Sequence, residues 1–352
     1  MEIVRSSCGK LVWLALGLFL AGCAAPQRYE FEDAAMGTQF RIVLYARSES
    51  AAGRAAADAF ASVRELDALL SDYRDDSEVA RISQASGSGT PVVVSEHTWR
   101  VSALAQLYAQ LSDGAFDPTV GPVVALWRRA RRQGELPDDA RLGEALARTG
   151  WQALELEPRS RSVSLARRGM QLDFGGIAKG YALDIALDTL ARHGIESALV
   201  DGGGDIAVRA APPGRAGWLV TVRPFSDESA SLSLELAHAA VATSGDAFQS
   251  LELEGVRHSH IVDPRTGRAL VSRTSASVLA SDGASADALA TALCVLGPVA
   301  GLELAKRAGC EARIACETPA GIESVATKGF EARILSPSIA PANCSPTGAF
   351  PR

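Results

Sequence analysis

Apolar and polar residues alternate through "RYEFEDAAMGTQFRIVLYA", residues 28–46, and break only at Met36-Gly37; this period of two predicts a pair of strands joined by a tight turn. The period then changes. From about residue 50 to 70 an alanine-rich stretch places Ala59, Val63, Leu66 and Leu70 on one face of a helix. Residues 69–94 read as a loop, a short helix and a Gly/Ser turn, and a second helix over 95–112 ends at Asp113-Gly114. In "AFDPTVGPVVALW", Pro118 stands where a helix start suits it. Residues 152–176 look like strands joined by turns, and a helix over 177–193 stops at Gly194. Short strands follow in 196–210, 217–225 and 232–246, and a last strand, "TSASVLAS", leads into a helix over 284–297. Strands and helices come in mixed order, with neither an internal repeat nor a clear linker. The expected fold class is therefore α+β, with mixed, mostly antiparallel strands and packed helices in a single domain over 31–335.

Composition narrows the function. The chain has 352 residues, 47% hydrophobic and 22% charged, enough for a full core. A formal charge of −6 argues against a nucleic-acid surface, and the arginine-rich stretch 128–132 reads as a solvated helix end. At the N-terminus, Arg5 and Lys10 precede the apolar run "LVWLALGLFLAG", which reads as a signal peptide over residues 1–22. "LAGC" resembles a bacterial lipoprotein box; Cys23 is the expected lipidation site, followed by a spacer over 23–30. The protein is thus expected in the cell envelope, anchored by its lipid and facing the periplasm. Export opens the way to disulfides, and Cys310 with Cys316 is the expected couple among Cys294, Cys310, Cys316 and Cys344, unless these cysteines are structural or free. Residues 336–352, rich in proline and small side chains, are expected to be a disordered tail.

Candidate chemistry gathers at several turns. "DFGGIAKGYALD", residues 173–184, lacks the spacing of a Walker loop or of a dinucleotide fingerprint. It reads either as a plain strand-to-helix turn with a surface lysine or as a place where a ligand approaches the backbone and meets free helix amides. In "SADALATAL", Asp287 and Thr291 lie four apart on one helix face; they are oxygen ligands of the kind magnesium accepts, or ordinary residues of a helix start. "HSHIVDPRTG" puts His260 at the end of an extended segment before a tight turn, a position suited to a base, with His258 on the same side if the segment is a strand. "TSGD" and "AFDPTVGP" add hydroxyls, amides and Asp117 beside an aromatic ring.

These stretches, with "AMGTQF", "LLSDYRDDSEVARIS", "GGGDI" and "ADALATALCVLG", resemble in order the ApbE family, the FAD:protein FMN transferases of bacterial envelopes. The resemblance implies a catalytic domain related to T-fold proteins. It further implies magnesium-dependent transfer of the FMN half of FAD to a Thr or Ser hydroxyl of an acceptor protein, with release of AMP. Acceptors resembling subunits of sodium-pumping NADH:quinone reductase and Rnf-type complexes carry an Asp-x-x-Ser/Thr-Gly-Ala-Ser/Thr motif. Met36, Tyr73, Ala115, Phe116, Asp117, Asp173 and Lys179 match the family's FAD contacts, and Ile261 or Val262 should add an apolar one. Asp287, Thr291 and the carbonyl of Gly176 match its magnesium positions, and His260 is the candidate base. Ala290 replaces an acidic residue that some relatives carry near the metal, and Asp201 is given no role.

Overall fold

The first hairpin forms where the alternation predicts it. Strands β1 (Gln27–Ala35) and β2 (Thr38–Ala46) pair antiparallel, and Met36 (φ 50°) with Gly37 (φ 72°) makes the two-residue, left-handed turn that matches strand twist. These coordinates are a computed structural model, which describes residues 25–225, 231–245, 250–253, 255–318 and 321–335. The expected signal peptide, Cys23, Cys344 and the C-terminal tail lie outside them.

After β2 come α1 (Glu49–Leu70), α2 (Glu78–Gln84), the two-residue β3 (Val92–Val93) and α3 (Glu96–Leu111). Ser48, Ser77 and Ser95 cap these three helices by accepting amide hydrogens in the first turn. Then follow α4 (Gly121–Gln133), α5 (Asp139–Leu146), β4 (Leu154–Glu157), β5 (Ser162–Leu165) and α6 (Ala178–Arg192). The next strands are β6 (Ala198–Gly202), β7 (Asp205–Val208), β8 (Trp218–Val222), β9 (Leu232–Leu236), β10 (Ala239–Gly245), β11 (Ser250–Leu253), β12 (Val256–Ser259) and β13 (Thr274–Ala280). The chain closes with α7 (Gly283–Ala308), β14 (Glu311–Thr318), β15 (Gly321–Ala326) and the one-turn α8 (Lys328–Glu331).

Eight strands form one fully antiparallel sheet in the order β1-β2-β6-β7-β10-β13-β14-β15. The fold class is as expected, α+β. One face carries α1, α6 and α7, which close over Phe40, Ile42 and Leu44. The other face is covered by the β8-β9 hairpin, where Val43, Val220 and Leu234 meet. The short sheet β3-β5-β4 and the β11-β12 hairpin lie outside the main sheet. Helix α7 is apolar on nearly every side because it touches β10, β13, β14, α3 and α6 at once.

Several expectations need correction. Helix α4 begins at Gly121 with Pro122 in its first turn; Pro118 instead follows Asp117 in a side-chain turn whose carboxylate binds Thr119. "TSASVLAS" is not the last strand, since β14 and β15 follow it. The helix expected over 284–297 runs on to Ala308, broken at Gly297 (φ 71°) ahead of Pro298. Cys310 and Cys316 are both free. Six extended residues separate their α-carbons by roughly 20 Å, far beyond the reach of a disulfide. Cys294 is buried, and its thiol donates to the Ser244 carbonyl at 3.1 Å.

Candidate active site

The loops and helix starts on one side of the sheet enclose a cleft of about 290 Å³. Twelve of the expected residues line it: Tyr73, Ala115, Phe116, Asp117, Asp173, Gly176, Lys179, His260, Ile261, Val262, Asp287 and Thr291. Met36 is not among them. It lines an adjoining hollow of about 360 Å³ with Asp72 and Phe174, and the two hollows share Tyr73, Gly175 and Lys179.

The floor is built where α6 and α7 begin. Asp287 in α7 accepts the amide of Gly180 in α6 at 3.0 Å, and Asp184 in α6 accepts the amides of Gly283 at 2.6 Å and Ala284 at 3.0 Å in α7. Each helix thus satisfies orphan donors of the other. The clasp requires backbone contact: a Cβ on Gly180 would fall 2.0 Å from the carbonyl oxygen of Gly283. It also engages one of the amides expected to be free at the start of α6, and three others are held locally. Those of Ile177 and Ala178 bind the carbonyl of Phe174, that of Gly175 binds Asp173, and that of Gly180 binds Asp287.

Three charges lie together on this floor. Lys179 is ion-paired with Asp205, which also accepts the amide of Thr243 at 3.1 Å. Burial works against the Lys179 ammonium, but the Asp205 and Asp287 carboxylates outweigh it and its pKa is raised. Burial pushes the Asp287 carboxyl up to about 6, opposed by Lys179 and reinforced by Asp205. Four residues along α7, Thr291 meets Ser244 at 3.1 Å, and a Cβ on Gly176 would approach the Thr291 hydroxyl to 2.9 Å. Carboxylate, hydroxyl and a side-chain-free backbone position therefore share one corner. Among the described residues no three His, Cys, Asp or Glu side chains gather as a metal cluster. The corner instead has the oxygen chemistry of magnesium, which takes few protein ligands and keeps its waters.

The walls depend on buried carboxylates that hold backbone. Asp117 accepts from the Thr119 amide and hydroxyl and from the Trp151 amide at 3.0 Å; burial raises its pKa against these bonds. Asp173 accepts from Gly175 at 2.8 Å and from Arg128 at 3.2 Å. Burial and the nearby Asp72 charge raise its pKa, while Arg128 opposes them.

Arg128 is the main residue missed from sequence. Rather than lying at a solvated helix end, it pairs with Asp72 and Asp173, and its guanidinium lies 4.3 Å from the centre of the Tyr73 ring. Arg131 lines the same cleft; burial and the Arg128 charge lower its pKa. A signal was present, because Val120, Val124, Arg128 and Arg131 recur at helical spacing and all line the cleft.

His260 lies just past β12, so it does not share a strand face with His258. His258 stacks on Trp127 at 5.4 Å and does not line the cleft. The segment after His260 is held firmly. Ile261 and Leu270 are hydrogen-bonded, Asp263 accepts the amides of Arg265, Thr266 and Gly267, and Trp127 donates to the Gly267 carbonyl at 2.8 Å. Asp201, given no role, is ion-paired to Arg41 at 3.2 Å.

The chain is similar to known proteins over most of its length. An FAD:protein FMN transferase of Treponema pallidum is 35% identical over 317 residues, covering 84% of this chain and 87% of that protein. One of Vibrio cholerae is 33% identical over 334 residues, covering 91% and 97%. The solved flavin transferase ApbE of Vibrio cholerae superposes with a TM-score of 0.77 at 31% identity, covering 88% of this chain and 99% of that one. The ApbE protein of Thermotoga maritima gives 0.79 at 29% identity, covering 88% and 100%. With the ApbE family model matching residues 36–314, the chain belongs to the ApbE family.

Proposed function

We propose that this protein is an FAD:protein FMN transferase that moves the FMN half of FAD onto a Thr or Ser hydroxyl of an acceptor protein and releases AMP. One observation carries the reading: an oxygen-ligand corner, a cation and a histidine converge in a cleft that adjoins a second hollow through Tyr73, Gly175 and Lys179. Two connected hollows suit a ligand with two planar halves joined by a pyrophosphate. Tyr73, Phe116, Ile261 and Val262 offer apolar surface to a ring, and Met36 offers more in the second hollow.

Asp287, Thr291 and the Gly176 carbonyl would hold magnesium, which supplies positive charge to the pyrophosphate oxygens and so lowers their repulsion of a nucleophile. Asp287 is already fixed by the Gly180 amide, so its carboxylate keeps one orientation. Lys179, held by Asp205, brings a second positive charge to the same floor. A threonine hydroxyl is a poor nucleophile at neutral pH, and His260 would take its proton as the oxygen attacks phosphorus. Ala290 leaves Asp287 as the only carboxylate at that step of α7. We further propose that Cys23 carries the lipid that holds the enzyme at the envelope membrane, facing the periplasm.

Purified protein incubated with FAD, magnesium and a peptide carrying the acceptor motif should yield flavin-labelled peptide and AMP. Free FMN alone would identify a hydrolase instead, and unchanged FAD a binding protein. Asp287→Ala should abolish magnesium-dependent turnover. His260→Ala should bind FAD normally yet label the peptide at least about a hundredfold more slowly, in the range general-base loss produces. A normal rate would remove His260 from the mechanism.

A further inference from the structure

The sheet carries a further hollow, larger than the two already described, on the face opposite the helices. This groove, about 640 Å³, runs between β2, β6 and β8, with Gln39, Asp201, Thr221 and Arg223 in its walls. It shares Thr243 and Gly245 with the cleft that holds His260 and Asp287, so the two hollows meet at the end of β10.

Among the described residues, no strand pairs with that end of β10 on the β7 side. Strand β7 pairs with β10 only over Ala239, Ala240 and Val241, because β7 starts at Asp205; β13 follows β10 as far as Gly245. The Thr243 amide points away from β13, toward the β7 side, where the Asp205 side chain accepts it. The amide and carbonyl of a strand residue leave on the same side, and the side alternates with every residue. The Thr243 carbonyl and the Gly245 amide therefore both face the groove, where β7 no longer covers them. They are spaced to take one residue of an added strand through two hydrogen bonds.

We propose that the acceptor protein docks here: an extended segment lies in the groove, adds as a short strand to β10 at Thr243 and Gly245, and so delivers its hydroxyl into the cleft. The inference rests on the transferase reading and names how that reaction's second substrate is held. Strand addition gives affinity through backbone bonds, and it accounts for a groove that mixes polar and apolar walls and meets the cleft at Thr243 and Gly245. The flavin nucleotide then enters from the helix side and the protein substrate from the hairpin side, so neither blocks the other.

The test uses the full chain with FAD present and a fluorescein-labelled peptide bearing the acceptor motif, read by fluorescence anisotropy. Thr221→Trp and Arg223→Trp fill the groove from exposed positions in β8 and just past its end, outside the cleft. Each should weaken peptide binding about tenfold or more and raise the peptide KM to match, with FAD affinity unchanged. A peptide methylated on the backbone nitrogens around its hydroxyl residue should lose binding to the same degree. Equal binding by the tryptophan variants, equal binding of the methylated peptide, or no peptide binding by the unaltered protein would each overturn strand addition. Peptide that binds in this way without receiving flavin would overturn the transferase reading alone.

Discussion

Arg128 is where a single side chain connects most of the cleft wall. Its guanidinium meets Asp72 and Asp173 and stacks on Tyr73, a ring otherwise 76% exposed to solvent. Tyrosine held by a cation is a preformed surface for a planar ligand, whereas a free exposed ring must lose rotamer freedom on binding. Arg128→Ala should therefore raise the FAD dissociation constant about tenfold, measured by flavin fluorescence, with a smaller effect on turnover of bound FAD. Arg128→Lys should restore little, because one ammonium cannot match two carboxylates and a ring face together. Unchanged FAD affinity in both variants would show that Tyr73 does not depend on this contact. The sequence hid the residue because an arginine run near a helix end has the composition of a solvated face; only the direction of α4 turns two of its arginines inward.

At the scale of elements, the junction of α6 and α7 explains why glycine is needed at 180 and 283. A side chain at either position would collide with the other helix's backbone, with clearances of 2.0 and 2.3 Å. Gly180→Ala should lower unfolding stability by roughly 3 kcal/mol, the upper range for overpacking, and should separate Asp287 from its amide partner. Gly53, in the middle of α1, gives the opposite expectation: nothing lies within 4 Å of its missing Cβ. Gly53→Ala should stabilise by about 1 kcal/mol through helix propensity alone. Chemical denaturation of the two variants reads both signs. If both substitutions proved neutral, the clasp would not control stability.

For the whole molecule, the clasp makes stability depend on pH. Burial raises the Asp184 carboxyl to about 7 and the Asp287 carboxyl to about 6, against an ordinary value of 3.8. Between the ordinary value and the raised ones the folded chain holds protons that the unfolded chain has lost. Stability from these two groups is thus fully present below about pH 4 and declines as pH rises through 6 and 7. Their share of the melting temperature should fall over that window. Asp184→Asn, outside the cleft, should flatten the Asp184 part of the slope, which thermal unfolding at a series of pH values would detect. A slope unchanged by that substitution would mean that Asp184 ionises normally.

The sequence by itself determined the local units. Period-two alternation, the left-handed turn at Met36-Gly37, serine caps and the glycine stop at 194 depend on interactions a few residues apart, so they are legible in order along the chain. Through the family that its motifs resemble, it also named twelve of the residues that line the cleft, such as Asp287 and Thr291 on one helix face. Tertiary structure alone decided what those residues touch. It paired Lys179 with Asp205, joined the Gly180 amide to Asp287 and set His258 against Trp127. It also began β7 at Asp205, so that β7 pairs with β10 only as far as Val241, beside the cleft. Such outcomes depend on contacts between segments dozens to more than a hundred residues apart, whose geometry is set when the antiparallel sheet and its two covering layers close around a shared core.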